Sequence, residues 1–241
     1  MPEQGHDFLL IHGSCHGAWC WRDLIPELTE LGHTAHAIDL PGHGEDRTPL
    51  DGQTLAACRD AVLAASGPDT IVVGHSWGGY PIGAAAEAKP SAMRALVFLC
   101  AYVPVSGLSM VDLRKRAPRQ PILPAVVREP DGETITIDPD QAPALFYHDC
   151  PPETVAYALR MLGPQAIGPQ ATRLTLSDRF DSVAKYYIRC SDDRTIPPEY
   201  QEEMTRNWPA DRVFELSTSH SPFFSAPGAL AAILNRIAKE I

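Results

Sequence analysis

Basic residues are in deficit: 20 lysines and arginines stand against 30 aspartates and glutamates, a formal net charge of −10. Such a chain offers no basic face to a phosphate backbone or an anionic membrane surface, so neither nucleic acid nor membrane is expected as a partner. Long apolar runs are missing too. The longest early one, Phe8 to Ile11, is far too short for a membrane span or a signal core, and no basic segment precedes it, so residence in the cytoplasm is the expectation. No C-x-x-C pair occurs among Cys15, Cys20, Cys58, Cys100, Cys150 and Cys190, which argues against a zinc knuckle and against a disulfide scaffold. H-E-x-x-H is absent as well: His12 and His16 have helical spacing, but Gly13 follows the first and the segment lies just past a strand-like run. Neither a metal nor a cofactor is expected.

What is present is an ordinary globular composition, 44% hydrophobic and 21% charged over 241 residues, enough for one sizeable core. Short apolar runs alternate with longer amphipathic ones, the βαβ rhythm of a mostly parallel sheet. Strands are expected over residues 8–11, 34–38, 70–74, 95–100, 185–190 and 212–216, with helices over residues 19–31, 54–65, 77–88 and 198–207. Leu230, Ile233, Leu234, Ile237 and Ile241 recur on one helical face, so a last helix should pack against the sheet. Between residues 105 and 180 prolines become dense and the rhythm breaks. Asp131-Gly132 before Thr134 to Ile137 reads as a hairpin turn, and residues 152–162 look helical behind Pro151 and Pro152. A long insertion of this kind reads as a cap, leaving residues 1–104 and 181–241 as the core.

One hexapeptide stands out, Gly74-His75-Ser76-Trp77-Gly78-Gly79, between the apolar run "TIVV" and a helix-like stretch. It matches G-x-S-x-G, a strand-to-helix turn that exposes a serine Oγ and needs minimal side chains two residues to either side. A serine hydroxyl is scarcely ionised at neutral pH, so attack on a carbonyl requires a base, and the base requires an acid to orient it. Two later strands end in suitable loops: Ser191-Asp192-Asp193 and then His220-Ser221-Pro222. The order serine, aspartate, histidine is that of the fold built around this elbow, with either Asp192 or Asp193 as the acid. Two donors must face the oxyanion. The Trp77 backbone N–H follows the nucleophile directly, and the Ser14 backbone N–H in "IHGSCHG" is the expected second, with Gly13 letting the chain pass close.

With these residues in hand, "FLLIHGSCHGAWCWRDLIPEL", "AIDLPGHG", "IVVGHSWGG", "YYIRCSDDRTIP" and "SHSPFFSAP" resemble the α/β-hydrolase superfamily, and within it the branch of plant methyl-ester esterases, hydroxynitrile lyases and related bacterial carboxylesterases. The resemblance covers nearly all of the core and fades in the cap. It implies an α/β-hydrolase fold of about six strands with a triad of Ser76, Asp193 and His220, since the family's acid lies four residues before a proline and so favours Asp193 over Asp192. Where the lyases of this branch carry threonine, glutamate and lysine, this chain has Gly13, His75 and Ser221, the esterase side of the pattern. The expected activity is therefore hydrolysis of a small to medium apolar ester through an acyl-enzyme. Cyanohydrin cleavage on the same triad and ligand binding without turnover are the alternatives.

Other residues carry blander expectations. Cys15 reads as a small hydrophobe, His12 as a brace for its loop, and His43 as part of a turn. Trp77, Phe223 and Phe224 either wall a pocket or pack beneath the loops, and neither "LFYHDC" nor Met161 is given a binding role. Substrate-binding residues and oligomeric state are not legible.

Overall fold

A computed structural model describes residues 5–241. The chain opens with β1 (Asp7–Ile11), a 3-10 turn (Ala18–Trp21), α1 (Leu24–Glu30), β2 (Thr34–Ile38), α2 (Leu55–Ala65), β3 (Thr70–His75), a second 3-10 turn (Ser76–Gly78), α3 (Gly79–Ala88) and β4 (Ala95–Leu99). An insertion follows, holding α4 (Met110–Arg116), β5 (Val126–Arg128), β6 (Thr134–Ile137), α5 (Ala142–Phe146), α6 (Pro152–Met161), β7 (Gln165–Ala166), α7 (Ile167–Ala171) and α8 (Asp178–Asp181). The core resumes with β8 (Ala184–Cys190), α9 (Pro198–Thr205), β9 (Val213–Leu216), α10 (Pro222–Ser225) and α11 (Pro227–Glu240).

Six strands form one sheet in the order β2-β1-β3-β4-β8-β9, every pair parallel. All six lie within a residue or two of the expected positions, because each is a short apolar run bounded by polar turns. Alternate residues of each strand serve opposite faces. Phe8, Leu10, Val73 and Val97 join α1 and α11 in one buried cluster, while Leu9, Ile11, Val72 and Phe98 join α2 and α3 in the other. β3 is buried at all six positions, as a strand covered on both sides must be.

The helix expected over residues 19–31 is instead a 3-10 turn and then α1. Pro26 explains the break. In a helix begun at residue 19 its ring would strike the carbonyl of Arg22, whereas in the first turn of α1 its missing N–H is one the helix would leave unpaired anyway. α11 is the helix that packs the sheet as its periodicity required, with Leu230, Leu234 and Ile237 fully buried.

The insertion is more structured than its proline content suggests. β5 and β6 pair as a hairpin across residues 129–133, where Gly132 has φ +70 and Asp131 Oδ1 accepts the Glu133 and Thr134 N–H groups. β7 adds a third antiparallel strand.

Chain order reverses at β1, whose neighbours are β2 on one side and β3 on the other. Open parallel sheets bind ligands beyond the carboxyl ends of strands at such a point. Ile11 pairs with Gly74, so the loop after β1 and the turn after β3 leave the sheet side by side.

Candidate active site

Ser76 sits at the end of β3 with φ +54, a left-handed conformation that a residue with a Cβ adopts only at an energetic cost. Its carbonyl accepts the Tyr102 N–H at 3.1 Å, which ties the turn to the chain leaving β4. The neighbouring glycines are steric necessities. A Cβ on Gly74 would come within 2.7 Å of the Gly78 carbonyl oxygen, and one on Gly78 within 2.7 Å of the His12 carbonyl oxygen and 2.9 Å of that of Ile11. Strand, helix and first loop thus converge on this turn and leave no room for side chains except that of Ser76 and the flanking His75 and Trp77.

The loop after β8 buries Asp193 completely within a set of donors. Its Oδ1 accepts the Thr195 and Ile196 N–H groups at 2.6 and 2.9 Å, and its Oδ2 accepts Gln201 Nε2 at 2.9 Å and His220 Nδ1 at 2.7 Å. A carboxylate only accepts, so His220 carries its ring proton on Nδ1 and leaves the Nε2 lone pair free. Asp192 points elsewhere: it is exposed and meets His148 Nε2 at 2.9 Å. Ser76 and His220 line one cavity together with His75 and Ser14. No hydrogen bond between Ser76 and His220 is among those of the described residues; such contacts commonly tighten only when substrate arrives.

The first loop lies directly against this turn. A Cβ on Gly13 would stand 2.7 Å from His75 Nδ1 and 3.0 Å from the Ser76 Cβ, so position 13 excludes any side chain. Ser14 is held twice: its carbonyl accepts His16 Nδ1 at 2.7 Å and its Oγ accepts Gln170 Nε2 at 2.6 Å. Burial lowers the His16 pKa to about 4, so the ring is neutral, and with its proton on Nδ1 the Nε2 accepts the Tyr147 hydroxyl at 2.7 Å. His12 braces the same loop, Nδ1 donating to the Gly13 carbonyl at 2.8 Å while Nε2 accepts the Leu40 N–H at 3.1 Å. His75 donates from Nε2 to the His220 carbonyl at 2.8 Å, and burial holds its pKa well below the ordinary value.

His75, Cys100 and His220 bring ligand-type atoms within 4.8 Å of one another, the one such group among the described residues. Burial pushes the Cys100 thiol well above its ordinary pKa, so it keeps its proton, donates it weakly to the His220 carbonyl and offers no thiolate to an ion. Cys15 is buried and its thiol is pushed up to about 12 by that burial, which leaves it protonated and inert.

A sequence model of the alpha/beta hydrolase family matches residues 8–233. The chain belongs to that family. It is 33% identical to methylesterase 7 of Arabidopsis thaliana over 97% of its own length and 96% of the relative's, and 30% identical to salicylic acid-binding protein 2 of Nicotiana tabacum over 99% of each. Among solved structures, polyneuridine aldehyde esterase superposes with a TM-score of 0.86 at 27% identity, covering 98% of this chain and all of that one.

In this hydrolase the cavity above Ser76 is a narrow slot of about 40 Å³. Its apolar walls are Met110, Ile122, Val126, Ile135, Ile137 and Phe146, all from the insertion. Of the "LFYHDC" stretch, Phe146 faces the slot and Tyr147 braces the first loop. Trp77, Phe223 and Phe224 do not line it; they are buried beneath the loops, Trp77 stacked on His43 and Phe223 edge-on to His75. Gln170, Tyr147 and Gln201 had no signal in the sequence, since each acts on a partner that only the fold brings near.

Proposed function

We propose that this hydrolase is a serine carboxylesterase in which Ser76 is the nucleophile, His220 the general base and Asp193 the acid that orients it. The observation that carries the reading is the 2.7 Å bond from His220 Nδ1 to the buried Asp193, with the free face of the same imidazole on the cavity that Ser76 lines. His220 Nε2 takes the Ser76 proton as Oγ attacks the ester carbonyl, and the Trp77 and Ser14 backbone N–H groups receive the oxyanion, each worth roughly 3 kcal/mol of barrier. The imidazolium then protonates the departing alkoxide. Water, deprotonated by the same imidazole, releases the acid from Oγ.

Relatives named as methylesterases support an ester of a small alcohol, and the narrow apolar slot supports a small to medium acyl group. Residues 105–180 act as the cap that supplies the slot's walls. Position 13 speaks against the lyase alternative, because Gly13 gives the loop no side-chain hydroxyl to hold a cyanohydrin. Six free cysteines suit a reducing cytoplasm.

Fluorophosphonate labelling tests the reading. The wild-type chain should be labelled on Ser76 and Ser76→Ala should lose both label and turnover of p-nitrophenyl and methyl esters; esterase activity retained by Ser76→Ala would overturn it.

A further inference from the structure

One side chain of the slot does not belong to an apolar esterase pocket. Arg114, on α4, is the only permanently charged residue among those lining it. The side chain is half-buried, and its Nε is sealed from solvent with no hydrogen-bond partner; no ion pair joins it to a carboxylate among the described residues. The acid two residues before it on α4 is engaged elsewhere: Asp112 caps the helix through Ser109 and meets Arg173 at 3.3 Å. The charge lies close enough to the buried Tyr102 phenol, another residue of the slot, to act on its ionisation.

A sealed, unpaired Nε beside apolar walls carries a desolvation cost that an arriving anion would offset. This is conspicuous in a chain with ten more acids than bases, where a protein carboxylate would have been the easy neighbour. Guanidinium geometry favours a planar, bidentate acceptor.

We propose that Arg114 binds a carboxylate of the substrate, so that the preferred substrates are half-esters: molecules with one carboxylic ester over Ser76 and a free carboxylate further along an apolar spacer. The inference rests on the esterase reading above and specifies its substrate class. The apolar walls take the spacer and the guanidinium takes the far end. Esters with no anionic group lose that anchor, and the corresponding diesters bury the charge against a neutral ester oxygen instead.

The test compares monomethyl with dimethyl esters of a dicarboxylate series from succinate to suberate, with the aromatic monomethyl isophthalate included. At the best-fitting spacer the wild-type enzyme should favour the half-ester in kcat/KM by about tenfold or more, and high salt should erode that preference. In Arg114→Met the half-ester to diester ratio should fall by about tenfold, with Arg114→Lys falling between the two. Because the ratio is taken within one preparation, partial misfolding does not disguise it, and the wild-type ratio stands even if a variant fails to fold. A wild-type enzyme that hydrolyses diesters at least as well as half-esters at every spacer overturns the proposal while leaving the esterase intact. So does an unchanged ratio in Arg114→Met. Loss of the esterase reading itself would show differently, as absent turnover of all these esters together with absent Ser76 labelling.

Discussion

Gln201 donates through Nε2 to the same Asp193 oxygen that receives the His220 ring, at 2.9 Å, while its own Oε1 accepts the Cys190 N–H at 3.0 Å. The amide is therefore fixed at both ends, and through it the end of β8 and the start of α9 hold the carboxylate in the plane the imidazole needs. Outer partners of this kind commonly matter about tenfold or more to the group they orient.

Replacing Gln201 by leucine keeps the volume roughly but strands the Cys190 N–H and frees Asp193 to rotate. Turnover of a methyl ester should drop about tenfold, and urea unfolding should show a loss of roughly 1–3 kcal/mol from the orphaned donor. Full activity in that variant would mean that the backbone donors from Thr195 and Ile196 hold the carboxylate alone.

The two adjacent aspartates should separate cleanly. Asp193→Asn puts a donor or a weak acceptor opposite His220 Nδ1 and favours the wrong tautomer, so kcat should fall about 10³- to 10⁴-fold. Asp192→Asn alters only surface contacts, to His148 at 2.9 Å and Arg194 at 4.0 Å, and should leave kcat within about twofold. Parallel kinetics of the two variants check both.

Tyr147→Phe removes the hydroxyl that His16 Nε2 accepts and leaves a fully buried lone pair without a partner. A loss of about 1–3 kcal/mol in unfolding free energy is expected, together with lower kcat, since His16 holds the carbonyl of Ser14 in the first loop.

Stability should also fall on the acid side of neutrality. Burial lowers the His16 pKa from 6.5 to about 4, and it holds His12 and His75 well below 6.5. As pH drops below 6.5 the unfolded chain binds protons at these rings while the folded chain refuses them, so stability rises with pH across this window and declines from 6.5 toward 4. For His16 alone the decline amounts to about 3 kcal/mol at the low end. Urea midpoints taken from pH 7 down to pH 4.5 should show it, and His16→Gln should flatten part of the slope.

The six strands and the turn at Ser76 were readable because their signals are local. A short apolar run between turns is a strand whatever its neighbours, and small residues two places either side of a serine announce a tight corner. The break at Pro26 is local too, since the proline ring excludes a helix that includes the residue four before it. In the insertion, β5 and β7 have three and two residues, too few for any period to show.

Residue order alone, then, determined the parallel sheet, the sharp turn that presents Ser76, and the later arrival of an aspartate and a histidine at strand ends. Tertiary structure decided that Asp193 and not Asp192 meets His220, that His16, Tyr147 and Gln170 brace the loop beside Ser76, and that Arg114 faces an apolar slot with no counter-charge. Patterns of period and steric size are written along the chain, whereas a hydrogen-bond partner 131 residues away, or the lack of a partner in a cavity, exists only after the chain has closed on itself.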